Sequence, residues 1–167
     1  RVAVIGLGLL GLLSVEIARA AGCQVFGVDL DPRRVELGAL LGAHTAIRED
    51  AESSGAAISR GQGFDVVLIC ADSASNDPIE LAGELAGDRG RVVAVGAVGL
   101  DIPRKRYFEK ELQFIVSRSY GPGRYDPNYE ENGQDYPRAY VRWTEGRNFE
   151  AFTDLLAGKK INIEALI

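Results

Sequence analysis

Runs of consecutive apolar residues alternate along much of the chain with segments in which apolar residues recur every three or four positions. The continuous runs are typical of strands buried on both faces, and the spaced segments are typical of amphipathic helices. The pattern predicts strands at residues 2–5, 24–28, 44–47, 64–69, 91–95 and 111–116. It predicts helices at residues 9–21, 32–41 and 78–86, with another of undefined limits between residues 48 and 63.

Strands that alternate with helices along a chain favour a parallel sheet with right-handed crossover connections. Six strands in two halves predict an α/β fold of the Rossmann type, a doubly wound parallel sheet of order 3-2-1-4-5-6 with helices on both faces. The length of 167 residues fits one such domain. Because Arg1 stands directly before the first strand and Ile167 ends an apolar run, we interpret residues 1–167 as a single domain excised from a larger chain.

The alternation of strands and helices stops between Arg118 and Phe149. This stretch contains five of the six tyrosines, the only tryptophan, a Gly-Pro-Gly sequence and two further prolines. Long loops are uncommon in compact domains, so we interpret residues 118–148 as an aromatic and charged insertion. Tyrosine and arginine are enriched at binding surfaces, and the insertion serves either as a packing lid or as a surface that contacts a sugar. Helical spacing resumes at residues 149–156, and a last apolar segment covers residues 161–167.

Composition narrows the classes of function. A formal net charge of -5 without a basic stripe argues against nucleic-acid binding. No apolar run approaches the roughly 20 residues of a membrane helix. Cys23 and Cys70 each lie in an apolar run, so we expect buried thiols rather than a disulfide. Unpaired thiols are typical of reducing compartments, and we expect a cytoplasmic protein with no nucleic-acid or membrane partner.

A glycine-rich sequence, Gly6-Leu-Gly8-Leu-Leu-Gly11, joins the first strand to the first helix. In that context the motif is typical of dinucleotide binding. Gly6 allows the tight turn, Gly8 leaves room for a pyrophosphate, and Gly11 lets the helix approach the sheet. The backbone N–H groups of Leu9 and Leu10 at the helix N-terminus would meet the anion.

An acidic residue, Asp29, ends the second strand eighteen residues after Gly11. From this place a carboxylate accepts hydrogen bonds from the adenosine ribose of NAD. A 2′-phosphate would be repelled there, so NAD is favoured over NADP, although Arg33 and Arg34 lie near enough to accommodate a phosphate. The alternative is that the glycines serve packing alone and that Asp29 caps the second helix, a position for which Asp31 is better placed.

The nicotinamide end of the cofactor is expected at the second half of the sheet. The loops after the fourth and fifth strands form the carboxyl rim there, and the candidates by position are Cys70, Ala71, Gly96 and Val98. Each of these is equally compatible with an ordinary loop residue.

Five segments, taken in order, resemble the cofactor domain of the medium-chain, zinc-type alcohol dehydrogenases. They are residues 6–11, 25–31, 41–44, 64–69 and 90–96. The resemblance covers most of the chain, and its tail from residue 149 to residue 167 is similar to the helix and strand that lead back into the catalytic domain of those enzymes. It implies that Leu9 and Leu10 donate to the pyrophosphate, and that Asp29 holds the ribose with help from Arg34.

The same resemblance implies contacts at the other end of the cofactor and a partner. Backbone groups of residues 96–98 and of the segment around Ser117 and Ser119 would contact the carboxamide. The edge strand at residues 111–116 would pair with its mate in a homodimer, which would also protect an exposed strand edge.

Two features depart from the family pattern. Catalytic zinc in the family is bound by Cys, His and Glu of another domain, whereas His44 and two distant cysteines have no ligand spacing. We therefore expect no metal site here, zinc only in the missing catalytic domain, and His44 as an ordinary strand or loop residue. The second departure is residues 118–147, where the family loop is short. This insertion resembles a subgroup fused to a sugar-oxidoreductase-like domain and linked to polysaccharide metabolism.

The predicted function is that of a nicotinamide-dinucleotide-binding domain of an NAD(P)-dependent oxidoreductase, which positions NAD for hydride transfer to or from an alcohol or sugar hydroxyl. Its partners would be the missing catalytic domain of the same polypeptide, a small-molecule substrate and a second copy. The fragment would bind the cofactor and contain no catalytic residue. The alternative is a non-catalytic module that senses NAD or organises neighbouring domains, since fold alone does not decide function.

Overall fold

A six-stranded parallel sheet organises the chain, of which the computed structural model describes residues 1–166. The strands are β1 (Val2–Ile5), β2 (Val25–Asp29), β3 (His44–Ile47), β4 (Phe64–Ile69), β5 (Ala86–Ala94) and β6 (Gln113–Val116). Their order is β3-β2-β1-β4-β5-β6, and every neighbouring pair is parallel. The predicted doubly wound fold is confirmed. The strand order reverses between β1 and β4, where such sheets bind their ligands.

Helices cover both faces of the sheet. They are α1 (Leu9–Ala20), α2 (Pro32–Leu40), α3 (Ala51–Ser59), α4 (Asp77–Leu85) and α5 (Arg104–Glu109). One apolar cluster centres on Phe26 and Phe64, whose rings stack 5.4 Å apart, and the other includes Leu7, Leu12 and Val15. Each fully buried side chain of this size stabilises the fold by about 1.5–3 kcal/mol. Among the helices in residues 1–166, there is no candidate for a membrane span.

Some element boundaries differ from the sequence prediction where the backbone is irregular. β5 begins at Ala86 rather than at residue 91, because its pairing with β4 continues past a register shift between Phe64 and Val66. β6 begins at Gln113 rather than at residue 111, because Glu111 has a φ of 50° and lies outside the extended region.

Helix α5 and the end of the chain also differ from the prediction. The sequence pattern predicted no helix at residues 104–109, a segment of only 6 residues. It is fixed to the sheet domain by Tyr107, whose hydroxyl donates to the carbonyl of Ile79 at 2.9 Å. The strand expected in the tail is wrong for the residues described, because Glu164–Leu166 form a 3₁₀ turn. Ile167 lies outside the described residues.

Residues 117–162 form a second compact unit, and residues 1–116 with 163–166 form the first. The second unit contains α6 (Pro127–Glu130) and α7 (Glu145–Ala157). The rings of Tyr129 and Tyr136 stack at 5.6 Å, and the Arg147 guanidinium contacts the Asp135 carboxylate at 2.5 Å. Ring stacking and an arginine contact therefore help to stabilise this unit. Its use as a lid or as a sugar surface stays a prediction, as does its interpretation as an insertion within one domain.

Candidate cofactor site

The turn after β1 depends on a glycine. Gly6 has a φ of +91°, which side chains with a Cβ rarely adopt. A Cβ at this position would lie 2.7 Å from the backbone nitrogen of Ala71, at the end of β4. The Gly6 N–H donates to the carbonyl of Val28 at 2.8 Å, so the turn is held against both neighbouring strands.

The other two glycines of the motif have opposite surroundings. A Cβ on Gly11 would lie 1.8 Å from the carbonyl oxygen of Gly6, so this glycine is required for the contact between α1 and the turn. A Cβ on Gly8 would meet only Nη1 of Arg34, at 3.9 Å. The space beside Gly8 is therefore open. The first hydrogen bond into α1 runs from the Leu12 N–H to the Gly8 carbonyl at 2.9 Å, and the preceding helical N–H groups have no intrahelical acceptor.

Asp29 is held at the end of β2 by backbone donors. The N–H of Leu7 donates to Oδ2 at 2.6 Å, and the N–H of Asp31 donates to Oδ1 at 2.9 Å. Its side chain is 8% exposed, and Nη1 of Arg34 lies 3.8 Å from Oδ2. The carboxylate is thus fixed in orientation, and its remaining lone pairs are available to a hydroxyl donor.

Helix α2 is capped by Asp31, as the sequence predicts. Oδ1 of Asp31 accepts from the N–H of Arg33 at 2.9 Å, and Pro32 occupies the start of the helix. The guanidinium of Arg33 also donates to the Asp31 carboxylate, and this side-chain hydrogen bond, more than the backbone one, lowers the pKa of Asp31 below its usual value. The alternative interpretation, in which Asp29 is the helix cap, is wrong.

The rim formed by β4 and β5 is closely packed. A Cβ on Gly96 would lie 2.0 Å from the carbonyl oxygen of Ala71, so Gly96 is required by packing between the strand ends. Val98 forms an isolated parallel bridge with Ser73 and packs on the core. The Cys70 thiol lies 3.8 Å from the Ser14 hydroxyl. Burial raises the pKa of Cys70, so the thiol stays protonated at neutral pH.

These elements surround a cleft of about 500 Å³ at the carboxyl ends of β1, β2 and β4. The size falls within the range of about 300–1,000 Å³ typical of small-molecule sites. Of the predicted site residues, the cleft is lined by Gly6, Gly8, Asp29, Arg34, Cys70 and Ala71. Its lining does not include Leu9, Leu10, Gly11, Gly96 or Val98, although Leu9 and Leu10 begin α1 directly after Gly8.

Sequence reasoning missed an ion pair in the wall of the cleft. Arg48 follows β3 and places Nη2 2.6 Å from Oδ1 of Asp77, at the start of α4. Its Nη1 also contacts Glu52 at 3.1 Å. Hydrogen bonding to Asp77 raises the pKa of Arg48 above its usual value. Arg48 directly follows β3, just as Asp29 ends β2. Its position at the carboxyl end of a strand was the sequence feature that indicated a place at the cleft.

The family model of the zinc-binding dehydrogenases matches residues 10–134, more than half of the chain. This chain belongs to the zinc-binding dehydrogenase family. The resemblance to the cofactor domain of the medium-chain, zinc-type alcohol dehydrogenases is thereby confirmed, and the chain corresponds to that cofactor-binding part. The narrower subgroup with a fused sugar-oxidoreductase-like domain stays a prediction.

Individual dehydrogenases are similar to this chain in sequence or in fold. L-threonine 3-dehydrogenase of Bacillus licheniformis is 34% identical over 96 residues, which cover 55% of this chain and 27% of that protein. D-guloside 3-dehydrogenase of Escherichia coli K12 is 28% identical over 173 positions, covering 99% of this chain and 45% of that protein. The structure of the short chain alcohol dehydrogenase rspB of E. coli CFT073, complexed with NADH, superposes with a TM-score of 0.69 at 20% identity and covers 99% of this chain and 42% of that chain. The chain thus spans less than half of each relative.

The structure also places the histidine, the two cysteines and the two serines that the sequence of this zinc-binding dehydrogenase domain singled out. His44 is exposed in β3, and Cys23 and Cys70 are free thiols that are partly rather than fully buried. No three His, Cys, Asp or Glu side chains in residues 1–166 lie together as a metal-binding group. Ser117 and Ser119 belong to the 117–162 unit, where both line a cavity within that unit.

Proposed function

We propose that this domain binds NAD(H) in the cleft at the carboxyl ends of β1, β2 and β4. In this proposal the pyrophosphate lies beside Gly8, against the backbone N–H groups of Leu9 and Leu10. Asp29 accepts hydrogen bonds from the adenosine ribose, with Arg34 beside it. The nicotinamide end extends toward Cys70 and the rim of the second half of the sheet.

The observation that carries the proposal is the placement of Asp29. Its carboxylate ends a strand, is oriented by two backbone donors and faces a cleft whose floor includes the open side of Gly8. The two backbone contacts leave lone pairs of the carboxylate unused, and Asp29 lines the cleft in which a ribose hydroxyl would donate to them. The fit of the residues to a dinucleotide therefore supports binding rather than packing alone.

The charges around the ribose position favour NAD over NADP. A 2′-phosphate would bring a second negative charge next to the Asp29 carboxylate, which costs free energy in a partly buried site. Arg34 is the one cleft cation near Asp29, at 3.8 Å, and its side chain is more than half exposed. Arg48 is already paired with Asp77 and Glu52 and offers little uncompensated positive charge.

As part of this proposal, we infer the activity of the whole protein from its family. Bound nicotinamide supplies hydride chemistry, and the residues of this chain bind and orient it. We infer that the full protein is an oxidoreductase acting on an alcohol or sugar hydroxyl, with substrate contacts and any zinc in its remaining domain. A second copy would pair along β6, whose Ile115 and Val116 side chains are exposed. By itself this chain binds the cofactor without turnover.

The experiment is a fluorescence titration of the chain with NADH and NADPH. We expect tighter binding of NADH. Asp29→Ser should weaken NADH binding about ten- to a hundredfold, because a hydrogen bond to a charged group contributes about 1.5–3 kcal/mol. The affinity for NADPH should fall less. Asp88→Ser, an exposed carboxylate on β5, is the matched control and should leave both affinities unchanged.

Two results would contradict the proposal. Absence of binding of either nucleotide at high micromolar concentration would remove the cofactor site. An unchanged NADH to NADPH ratio in Asp29→Ser would remove Asp29 from the ribose. Because Asp29 also holds the N–H of Leu7, Asp29→Asn provides a second variant of similar size, and a thermal melt of each variant verifies that it is folded.

A further inference from the structure

The 117–162 unit contains a cavity of about 500 Å³, and the cofactor proposal assigns no role to its arginines or tyrosines. It is lined by residues 117–122, Arg124, Tyr125 and Asn148. Two of the lining residues are arginines, and none of the described lining residues is Asp or Glu. The cavity wall is therefore positively charged, in a chain whose net charge is -5.

Two guanidinium groups converge on one ring in this wall. The Cζ atoms of Arg118 and Arg124 each lie 4.5 Å from the centroid of the Tyr125 ring, so they are separated by no more than twice that distance. Arg124 also lies 5.3 Å from the ring centroid of Tyr120. A guanidinium stacked on a ring keeps its N–H donors in its own plane, where they remain able to bind an oxyanion.

Negative charge balances only part of the positive charge of Arg118 and Arg124. Nη1 of Arg124 contacts the carboxylate of Glu130 at 2.5 Å. Nε of the same guanidinium is shielded from solvent and has no hydrogen-bond partner in the part of the chain that the structure describes. Polar atoms shielded from solvent usually have a hydrogen-bond partner in folded proteins. An anionic ligand in the cavity would reduce the repulsion between the two arginines.

The backbone around the cavity is strained at two positions. Ser119 has a φ of 51° and Tyr125 has a φ of 67°, both in the left-handed region that non-glycine residues seldom occupy. Such backbone strain clusters at ligand sites. Here it accompanies the contact of the Tyr125 ring with both arginines. Asn148 stabilises the loop by donating to the carbonyl of Tyr120 at 2.9 Å.

We propose that this cavity is a binding site for the carboxylate or phosphate group of a small organic anion. Arg118 is the accessible contact, Arg124 is the partly buried one, and the tyrosine rings provide an apolar surface for the remainder of the ligand. The site belongs to the second unit and does not depend on NAD binding by the first.

The test is calorimetric titration of the chain with three probes that share one sugar ring. These are glucose, glucuronate and glucose 6-phosphate. At least one charged probe should bind about tenfold or more tightly than glucose, since a hydrogen bond to a charged group contributes about 1.5–3 kcal/mol. A preference for glucuronate assigns a carboxylate ligand, and a preference for glucose 6-phosphate assigns a phosphate ester.

Matched arginine variants separate the cavity from general positive charge. Arg118→Gln should reduce the affinity for the charged probe to that for glucose. Arg142→Gln is the control, because Arg142 stacks on Trp143 at 4.4 Å in the same unit but does not line the cavity. Arg118 is exposed, so its variant is expected to fold, and a thermal melt verifies this.

The inference is overturned by equal binding of all three probes, by no binding of either charged probe at millimolar concentration, or by an equal effect of the two variants. The same protein is also titrated with NADH. NADH binding without anion binding defeats only this inference, and anion binding without NADH binding defeats only the cofactor proposal.

Discussion

Substitutions at Gly8 and Gly11 should separate the effect of the glycine motif on stability from its effect on cofactor binding. Gly11→Ala places a methyl group 1.8 Å from the Gly6 carbonyl oxygen and 2.9 Å from the Gly6 carbonyl carbon. Both atoms are backbone, and the Gly6 turn is itself confined by the backbone of Ala71. Either α1 must move away from the sheet or the turn must deform.

The expected loss of stability in Gly11→Ala is the difference between two opposing effects. Overpacking of this kind costs about 1–3 kcal/mol, occasionally more, while Ala gains about 1 kcal/mol over Gly from helix propensity. An overlap with rigid backbone belongs at the upper end, so we expect a net loss of about 2 kcal/mol or more. For a chain of this size that lowers the melting temperature by about 4–8 °C.

Gly8→Ala should have the opposite effect, a weaker affinity for NADH with little loss of stability. The new methyl group meets only the flexible end of Arg34, at 3.9 Å. The loss of Gly at the helix N-cap costs about 0.5–1 kcal/mol, so the fold should persist. The methyl group does, however, occupy the space beside the helix N-terminus. If it displaces one charge-assisted phosphate contact, NADH binding weakens about ten- to a hundredfold.

Thermal melts by circular dichroism and NADH titrations of both variants measure the two effects on the same protein. The reasoning would be refuted by a Gly11→Ala variant that melts at the wild-type temperature. It would equally be refuted by a Gly8→Ala variant that binds NADH with wild-type affinity.

Two further predictions concern the stability of the sheet domain. Arg48→Met should lower the free energy of unfolding by about 0.5–1 kcal/mol, as expected for a partly exposed ion pair. A double-mutant cycle with Asp77→Asn should show a favourable coupling energy that weakens in high salt, and zero coupling would contradict this prediction. Arg89→Met, at a more exposed ion pair, is the control and should cost less. Burial raises the pKa of Tyr107, so above about pH 10 the unfolded chain loses this proton first and stability falls with rising pH. Tyr107→Phe should cost about 1 kcal/mol through the lost hydrogen bond to Ile79 and should flatten the alkaline decline in denaturant-unfolding curves, whereas an unchanged decline would assign it to other groups.

The parts of the fold that sequence predicted are those in which residue type and backbone geometry are linked locally. A continuous apolar run indicates a strand buried on both faces, and a glycine after it indicates a turn with positive φ. Gly6 and Asp31 illustrate this, since one has a φ of +91° and the other caps the next helix. The strand order follows from the same elements because crossovers have a fixed hand.

The parts that sequence did not predict depend on contacts between distant residues. Helix α5 is too short for a periodic signal, and its position relies on the Tyr107 hydroxyl reaching the carbonyl of Ile79. The pair of Arg48 and Asp77 joins residues 29 positions apart, so neither residue stands out in its own segment. Between β6 and α7, contacts of rings and guanidinium groups stabilise a segment whose one helix, α6, has only 4 residues, and no periodicity in the sequence indicates those contacts.

The three glycines of the motif differ in whether the fold requires them, and this difference bears on function in a way that their spacing alone does not. Gly6 and Gly11 are required by the fold, through a positive φ and a backbone contact, so their presence is explained without a ligand. Gly8 has a φ of -72° and a ψ of -168°, an extended conformation that any residue adopts, and the space beside it is open. At a helix N-cap the fold alone would favour Ser, Asp or Asn, whose side chains accept from the free N–H groups. The glycine that the fold does not need is the one beside the cleft, which is the pattern expected if a phosphate group, rather than a side chain, accepts those hydrogen bonds.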